Sequence, residues 1–501
     1  MYRGDKNQLQ FTDFHLPFGG KLSSSNRWVQ LAGLIPWDLV EEAYRRSLGT
    51  TSMGSPAKSA RIAFGALVIK ERLAITDEET VAQILENPYL QYFLGLESFQ
   101  QKPLFHSSLM VHFRSRFSQQ DLTGINQLIV LGEKDDDEDG PSPDESSAPT
   151  TPPDPSGDGN QASGGNHGKL LVDATCTPAD ITYPTDLKLL NEAREKTEHI
   201  IDVLHADLRN AMEKPRDYRR KARKDFLTIT KTKRPGPRKI RAAIGKQLRY
   251  LKRNLGHIVR QLESGAGLGA LTSYEHKCLM VIHTLHEQQS DMFQKRIHRV
   301  ADRIVSISQP HVRPIVRGKA SAPVEFGAKI SISCVGGYVH LDHLSWDAYN
   351  ECLDLPAQVE AFQQRHGHYP ESLHADAIYR TRANRAYCKE RGIRLSGPRP
   401  GGLPADPAKL AAFKQQLHDD EVARIPVEGK FGNLKRKGTL GRIMAKLAHT
   451  AECVIHIGLI VSNLDRKLAG LLLRLLAVVM DRRIFSTRVA RPALCFSLAA
   501  A

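Results

Sequence analysis

An α/β layer interrupted by a helical insertion and preceded by an all-helical region is the fold class this sequence predicts. Three observations predict it. Short apolar runs of β type recur at 169–174, 328–334, 338–343, 372–376 and 392–396; helical patterns separate the later ones; and a long, charged helical stretch, 186–310, follows the first. At 501 residues the chain is long enough for more than one core.

Residues 1–131 read as a helical N-terminal domain. Ile62, Leu67, Ile69 and Leu73 recur at near-helical spacing, Thr76 with Glu79 has the form of a capping box, and Val81, Ile84 and Leu85 continue the apolar face. In 107–117, Arg114 and Arg116 stand beside apolar positions, a pattern that fits a DNA-contacting helix and an ordinary amphipathic helix alike. Residues 132–168 are acidic and then rich in Pro, Ser, Gly and Asp, too poor in apolar side chains to offset the entropy of ordering them, and are expected to be a disordered linker.

The region 169–465 carries the α/β layer. Its first strand, Lys169–Ala174, is expected to deliver Asp173 at its end. The insertion, 186–310, is broken by the basic stretch 231–239. Two strands follow, joined by a Gly336–Gly337 turn of hairpin type. Then come a helix at Pro356–His366, a strand ending at Asp376, a helix through Arg391, the strand at 392–396 and a helical stretch from Pro426 to Leu447. That order is the one of a ribonuclease-H-like layer, with the insertion after its first strand. Residues 466–501 read as an apolar helix and a tail without clear periodicity. The run 468–480 is short for a membrane span and follows three charged residues, so it is read as a buried or interface helix.

The formal net charge of +15 makes a polyanion the first partner to consider. The excess is local: 135–139 is acidic, whereas Lys and Arg far outnumber Asp and Glu across 209–260. Within it Arg219, Arg220, Lys233, Arg234, Arg238 and Lys239 are candidates for phosphate contact, which gives affinity without sequence readout; a solvated helix face is the plain alternative. The 7 cysteines include no CxxC pair, which argues against a disulfide framework and a structural zinc site. The N-terminus has no apolar segment of signal-peptide type, so a cytoplasmic protein without membrane attachment is expected. His283 with His286, and His366 with His368, lack evident converging partners and read as packing or solvent-facing histidines.

Asp173 and Asp376 each end an apolar strand, and strands placed side by side would bring them together, although aspartates at strand ends are often only turn formers. In 424–435, Arg424, Glu428 and Lys435 are spaced so that Glu428 and Lys435, seven apart, share a helix face. A carboxylate and an ammonium aimed into one groove suit metal and phosphate binding, yet a basic amphipathic helix carries the same pair.

This stretch resembles the C-terminal signature of bacterial insertion-sequence DDE transposases: Tyr, two residues, Arg, three residues, Glu, six residues, Lys. Segments around Asp173, 309–320, Asp376 and Glu428 resemble the same family in the same order, and so does the helical N-terminal region. Two departures stand out: Glu421 occupies the Tyr position, and Pro426 is expected to start the helix, leaving Arg424 outside it. The resemblance implies Asp173, Asp376 and Glu428 as catalytic and metal ligands for two Mg²⁺ ions, with Mn²⁺ a substitute. It implies Arg424 and Lys435 on the phosphate near the cut, and Arg436 and Lys437 extend the basic strip. It further implies cleavage at terminal inverted repeats of double-stranded DNA, transfer of 3′ ends to a target, and a homodimer on DNA. Two rivals stay open: a decayed copy that binds inverted repeats without cutting, and a ribonuclease-H-like nuclease that cuts without joining.

Overall fold

The computed structural model describes residues 10–16, 20–48, 56–132, 165–210, 212–316, 324–398 and 406–489, with side chains described as far as 474. Most of the expected linker, and 490–501 of the tail, lie outside the described residues.

Among the described residues, seven α-helices build the N-terminal region: α1 (Arg27–Leu34), α2 (Trp37–Arg46), α3 (Ala60–Leu73), α4 (Asp77–Glu86), α5 (Pro88–Phe93), α6 (Leu109–Ser115) and α7 (Gln119–Leu131). Side-chain caps start several of them: Ser59 accepts from the Ile62 amide, Thr76 from that of Glu79, and Ser118 with Asp121 forms a full capping box. The expected box at Thr76 is half made, since the Glu79 carboxylate takes a bond from Gln83. Arg114 is buried and clamps Asp77, and Arg116 donates to the Ser47 carbonyl. In Arg114 the amphipathic alternative holds, because its guanidinium is consumed inside the fold.

Next come β1 (Lys169–Pro178) and four helices, α8 (Asp186–Asp207), α9 (Arg219–Thr230), α10 (Pro237–Glu263) and α11 (Ser273–Lys295), which bury Leu190, Leu251, Ile282 and Leu285 among themselves. The strands β2 (Arg313–Val316), β3 (Val324–Val335) and β4 (Tyr338–Ser345) follow, then α12 (Leu355–His366), β5 (Ser372–His374), α13 (Arg382–Glu390), β6 (Arg394–Leu395), α14 (Pro407–Arg436) and α15 (Ala448–Val489). Gly336 and Gly337 have φ of 56° and 83°, the positive values that a two-residue turn between β3 and β4 demands.

The sheet runs β2-β3-β1-β5-β6, with β4 also paired to β3; β1 is antiparallel to β3 and parallel to β5, and β5 is parallel to β6. Leu170 and Val172 face α12 and α13, where Val359, Phe362, Leu373 and Cys388 complete a core. The opposite face, with Ile330, Ile332 and Leu171, is covered by Val427, Phe431 and Leu434 of α14 and by α15.

Three details differ from expectation. Asp173 lies within β1, which continues to Pro178 because Thr175 and Thr177 keep pairing with β3. Pro426 is inside α14, so Arg424 is helical; α14 ends at Arg436, and the apolar positions of 440–447 belong to a turn before α15. Finally, α15 passes unbroken through residue 465, its buried side chains joining the N-terminal helices into one core.

Candidate active site

Strand alternation puts every second side chain of β1 on one face. Leu171 packs on the side covered by α14, so Asp173 and Thr175 point the same way. On β5, Leu373 and Ala375 fill the opposite core, which sends His374 and the extended Asp376 to the α14 side. The parallel register ends with Leu171 paired to His374; two residues further along stand Asp173, still in β1, and Asp376, just past the end of β5. Adjacent strands are about 4.8 Å apart, so the aspartates the sequence singled out stand side by side at one edge.

Helix α14 crosses this edge. Asp420 holds it there, accepting from Arg394 of β6 at 2.8 Å and from the Gly397 amide at 3.0 Å. One turn later the Arg424 guanidinium stands 3.7 Å from an Asp376 oxygen and 3.5 Å from Glu428. At the far end, Lys435 Nζ donates to Thr175 Oγ1 at 2.8 Å. Asp376 and Glu428 thus share one arginine, whose charge also reaches Asp173, and Lys435 reaches the same face of β1. Arg436 folds back on its own helix to the Gly432 carbonyl, while Lys437, the C-cap residue, is exposed.

The carboxylates differ in setting. Asp173 is largely buried, and desolvation pushes its carboxyl up to about 6; a hydrogen bond from the Ala174 amide and the Arg424 charge oppose the rise, while Asp376 and Glu351 add to it. Side chains of Asp376 and Glu428 are 55% and 62% exposed, so they are open to a ligand. Asp376 Oδ1 also accepts from the Ala377 amide and caps the short turn Ala377–Tyr379.

All three side chains are hard oxygen donors of the kind Mg²⁺ selects. Arg424 contacts Asp376 and Glu428 and acts on Asp173 through its charge alone, and among the described residues no three His, Cys, Asp or Glu side chains are close enough to hold a metal ion. The donor set therefore fits a divalent cation in its chemistry, and two of the three carboxylates are paired with Arg424.

The Transposase DDE domain model matches residues 373–465, the span that carries Asp376, Arg424, Glu428 and Lys435. The Transposase domain (DUF772) model matches 17–116, within the N-terminal helices. The chain belongs to the insertion-sequence DDE transposases. The transposase is also 30% identical over 165 residues to the uncharacterized protein ORF8 in the nfe locus of Rhizobium meliloti, an alignment covering 33% of this chain and 68% of that one. No solved structure matches the transposase. Asp173 lies outside both matched spans, and its place beside Asp376 comes from the sheet register.

In the insertion, Arg219 is paired with Asp202 and Asp217, which fixes α9 to α8. Arg220, Lys233, Arg234, Arg238 and Lys239 are exposed, and their side chains have no ion pair among the described residues. Sequence reasoning missed Thr175, Glu351, Tyr379 and Asp420. Asp420 sits in an acidic run that reads as solvated helix, and the others meet the site only through chain folding. Among the described residues no helix is long and apolar enough to cross a membrane.

Proposed function

We propose that this transposase cuts DNA at the ends of a mobile element and joins the freed 3′ ends to target DNA, with Asp173, Asp376 and Glu428 as its catalytic carboxylates. The observation that carries this reading is the register of β1 and β5, which sets Asp173 beside Asp376 on the sheet face crossed by Arg424 and Glu428. The strand order β4-β3-β1-β5-β6, antiparallel then parallel, supports a ribonuclease-H-like layer spanning 169–465 with a basic helical insertion.

In this reading Asp173, Asp376 and Glu428 hold two Mg²⁺ ions, for which Mn²⁺ substitutes. When bound, such a pair would supply stabilisation of both the attacking and the leaving oxygen of an in-line displacement. The chain's own residues do the rest. Asp173 must lose its proton to serve, and the opposing Arg424 charge favours that loss. Lys435, anchored on Thr175, presents an ammonium to a phosphate lying along β1. Arg424 is the natural second phosphate contact once its carboxylates turn to cations. Arg436 and Lys437 extend the strip, and Arg220, Lys233, Arg234, Arg238 and Lys239 take the flanking duplex as phosphate contacts. Arg219, already neutralised by two aspartates, contributes least. Pairing two inverted repeats calls for a homodimer on DNA, acting in the cytoplasm.

The test is Mg²⁺-dependent cleavage and joining of labelled DNA carrying the element ends, comparing wild type with Asp173→Ala, Asp376→Ala and Glu428→Ala. Loss of both steps in all three variants, with DNA binding retained, is expected. Cleavage without joining by the wild type would replace the proposal with a nuclease, and binding without cleavage would replace it with an inverted-repeat binding protein.

A further inference from the structure

A groove of about 1170 Å³ lies between the N-terminal helices and the chain that follows α14. The start of α4 and part of α6 form one wall, and residues 435–447 form the other. Its volume exceeds the roughly 300 to 1,000 Å³ of a small-ligand pocket, so it has room for a length of chain. Lys435 lines it and also donates to Thr175 on the face of β1 that carries Asp173, so the groove adjoins the candidate active site.

The wall on the α14 side is fixed before anything binds. Past Lys435 the chain turns tightly: a Cβ at Gly438 or Gly441 would stand 2.8 Å or 2.3 Å from the carbonyl oxygens of Leu434 and Lys435. Thr439 then donates to the buried carboxylate of Glu71 in α3. The Ile443 amide donates to the Pro178 carbonyl at 2.8 Å, and the Asp180 amide to the Ile443 carbonyl at 3.0 Å, which joins this wall to the end of β1.

Two chemistries meet in the groove. Val111, Met444 and Leu447 line it at 44%, 60% and 40% exposure, large apolar side chains open to solvent. Lys435, Arg442 and Lys446 stand on the wall that carries Met444 and Leu447. Arg442 is paired with Asp180, while Lys446 is exposed and has no ion pair among the described residues. Across the groove Arg114 consumes Asp77, and Glu78 and Glu79 leave that side acidic. A polyanion in the groove is therefore held to the 435–446 wall. Duplex DNA offers phosphates to such a wall but keeps its base faces stacked. Only unpaired bases can cover apolar side chains, and Met and Leu are of the kind that wedge between bases and hold them apart.

We infer that this groove binds an unpaired stretch of the DNA strand that passes Lys435, its phosphates along Lys435 and Lys446 and its bases against Val111, Met444 and Leu447. This rests on the reading of the chain as a transposase that cuts DNA, and it is independent of any bound cation.

The experiment is fluorescence anisotropy of the full chain in EDTA, where no cleavage intervenes. The probe is a labelled duplex carrying the element end, either blunt or with a short single-stranded tail on one strand or the other, the tail containing a fluorescent adenine analogue. A tail on one strand is expected to tighten binding at least about fivefold, the lower end of what one base held by a side chain contributes, and to brighten the analogue as it unstacks. Met444→Ser with Leu447→Ser is expected to abolish both effects and leave blunt-duplex affinity unchanged; Lys446→Ala is expected to weaken tailed DNA more than blunt. No gain from a tail on either strand, or a gain that the double variant keeps, overturns the assignment and leaves the transposase reading standing. An equal loss on blunt and tailed DNA means that the two side chains serve the fold or the duplex, and overturns it as well. A double variant whose oligomeric state changes in gel filtration without DNA gives the groove to a protein partner instead. Wild type that binds neither DNA removes the DNA reading, and this inference with it.

Discussion

Asp173 is an aspartate that the fold holds at a cost. Burial lifts its carboxyl to about 6, so between about pH 4 and pH 6 the folded chain keeps a proton that the unfolded chain has released. Stability then falls as pH rises through that window. In metal-free buffer Asp173→Asn is expected to melt with wild type at pH 4 and above it at pH 7, by at most about 3 kcal/mol; a difference independent of pH removes this account. With Mg²⁺ and DNA, alanine at Asp173, Asp376 or Glu428 is expected to slow joining by at least about a thousandfold, since metal-centred stabilisation is worth several kcal/mol. Normal rates in any one variant dismiss that residue. The three proposed carboxylates could be singled out because each sits in a segment that resembles the family's. Asp420 was not, since its significance is a pairing with Arg394 and the Gly397 amide, brought in from β6 and the turn after it.

Among the elements, α14 carries the most meaning per turn: Asp420 docks it, Arg424 and Glu428 face the aspartates, and Lys435 returns to β1. Pro426 within it leaves the Val422 carbonyl without its helical donor. Replacing it by Ala is expected to raise stability, by up to about 3 kcal/mol, as read by denaturant melts; a loss of stability means that the proline shapes a bend the packing needs. The basic helices answer to salt. Neutralising Arg220, Lys233, Arg234, Arg238 and Lys239 together is expected to reduce the slope of log affinity against log salt by up to about 4 to 5. Arg219→Ala leaves that slope alone and weakens the α8–α9 contact, because its charge is spent on Asp202 and Asp217. An unchanged slope in the fivefold variant assigns those side chains to solvent.

At the scale of the molecule, the N-terminal helices and the α/β layer share a core. Cys453, Ile457, Ile460 and Leu464 of α15 pack among Leu31, Phe64, Ile69 and Ile125. Asn463 bonds Asn126 and both backbone groups of Val339, joining α7, β4 and α15. Arg72 pairs with Asp465 at 2.8 Å. Proteolytic cleavage between residues 133 and 164 is therefore expected to yield two fragments that co-elute in gel filtration. Fragments that separate show that the shared core is too weak to hold them. Asn463→Ala, which strands buried polar groups on both partners, is expected to cost about 1 to 3 kcal/mol, measured by chemical denaturation.

The sequence by itself determined what depends on neighbours along the chain. Helical and strand periods, the Gly336–Gly337 turn, the acidic and Pro-rich segment after α7 and the spacing of Arg424, Glu428 and Lys435 are all local patterns, and they sufficed for the α/β class, while the three carboxylates were singled out only with the resemblance to the DDE transposases added. Tertiary structure alone decided the rest. Whether Asp173 meets Asp376 depends on the register of β1 against β5, two hundred residues apart. Whether Arg114 is free for DNA depends on Asp77, and whether Arg219 is free depends on Asp202 and Asp217. A charge in a sequence is only available; its partner, its burial and hence its chemistry are properties of the packed chain.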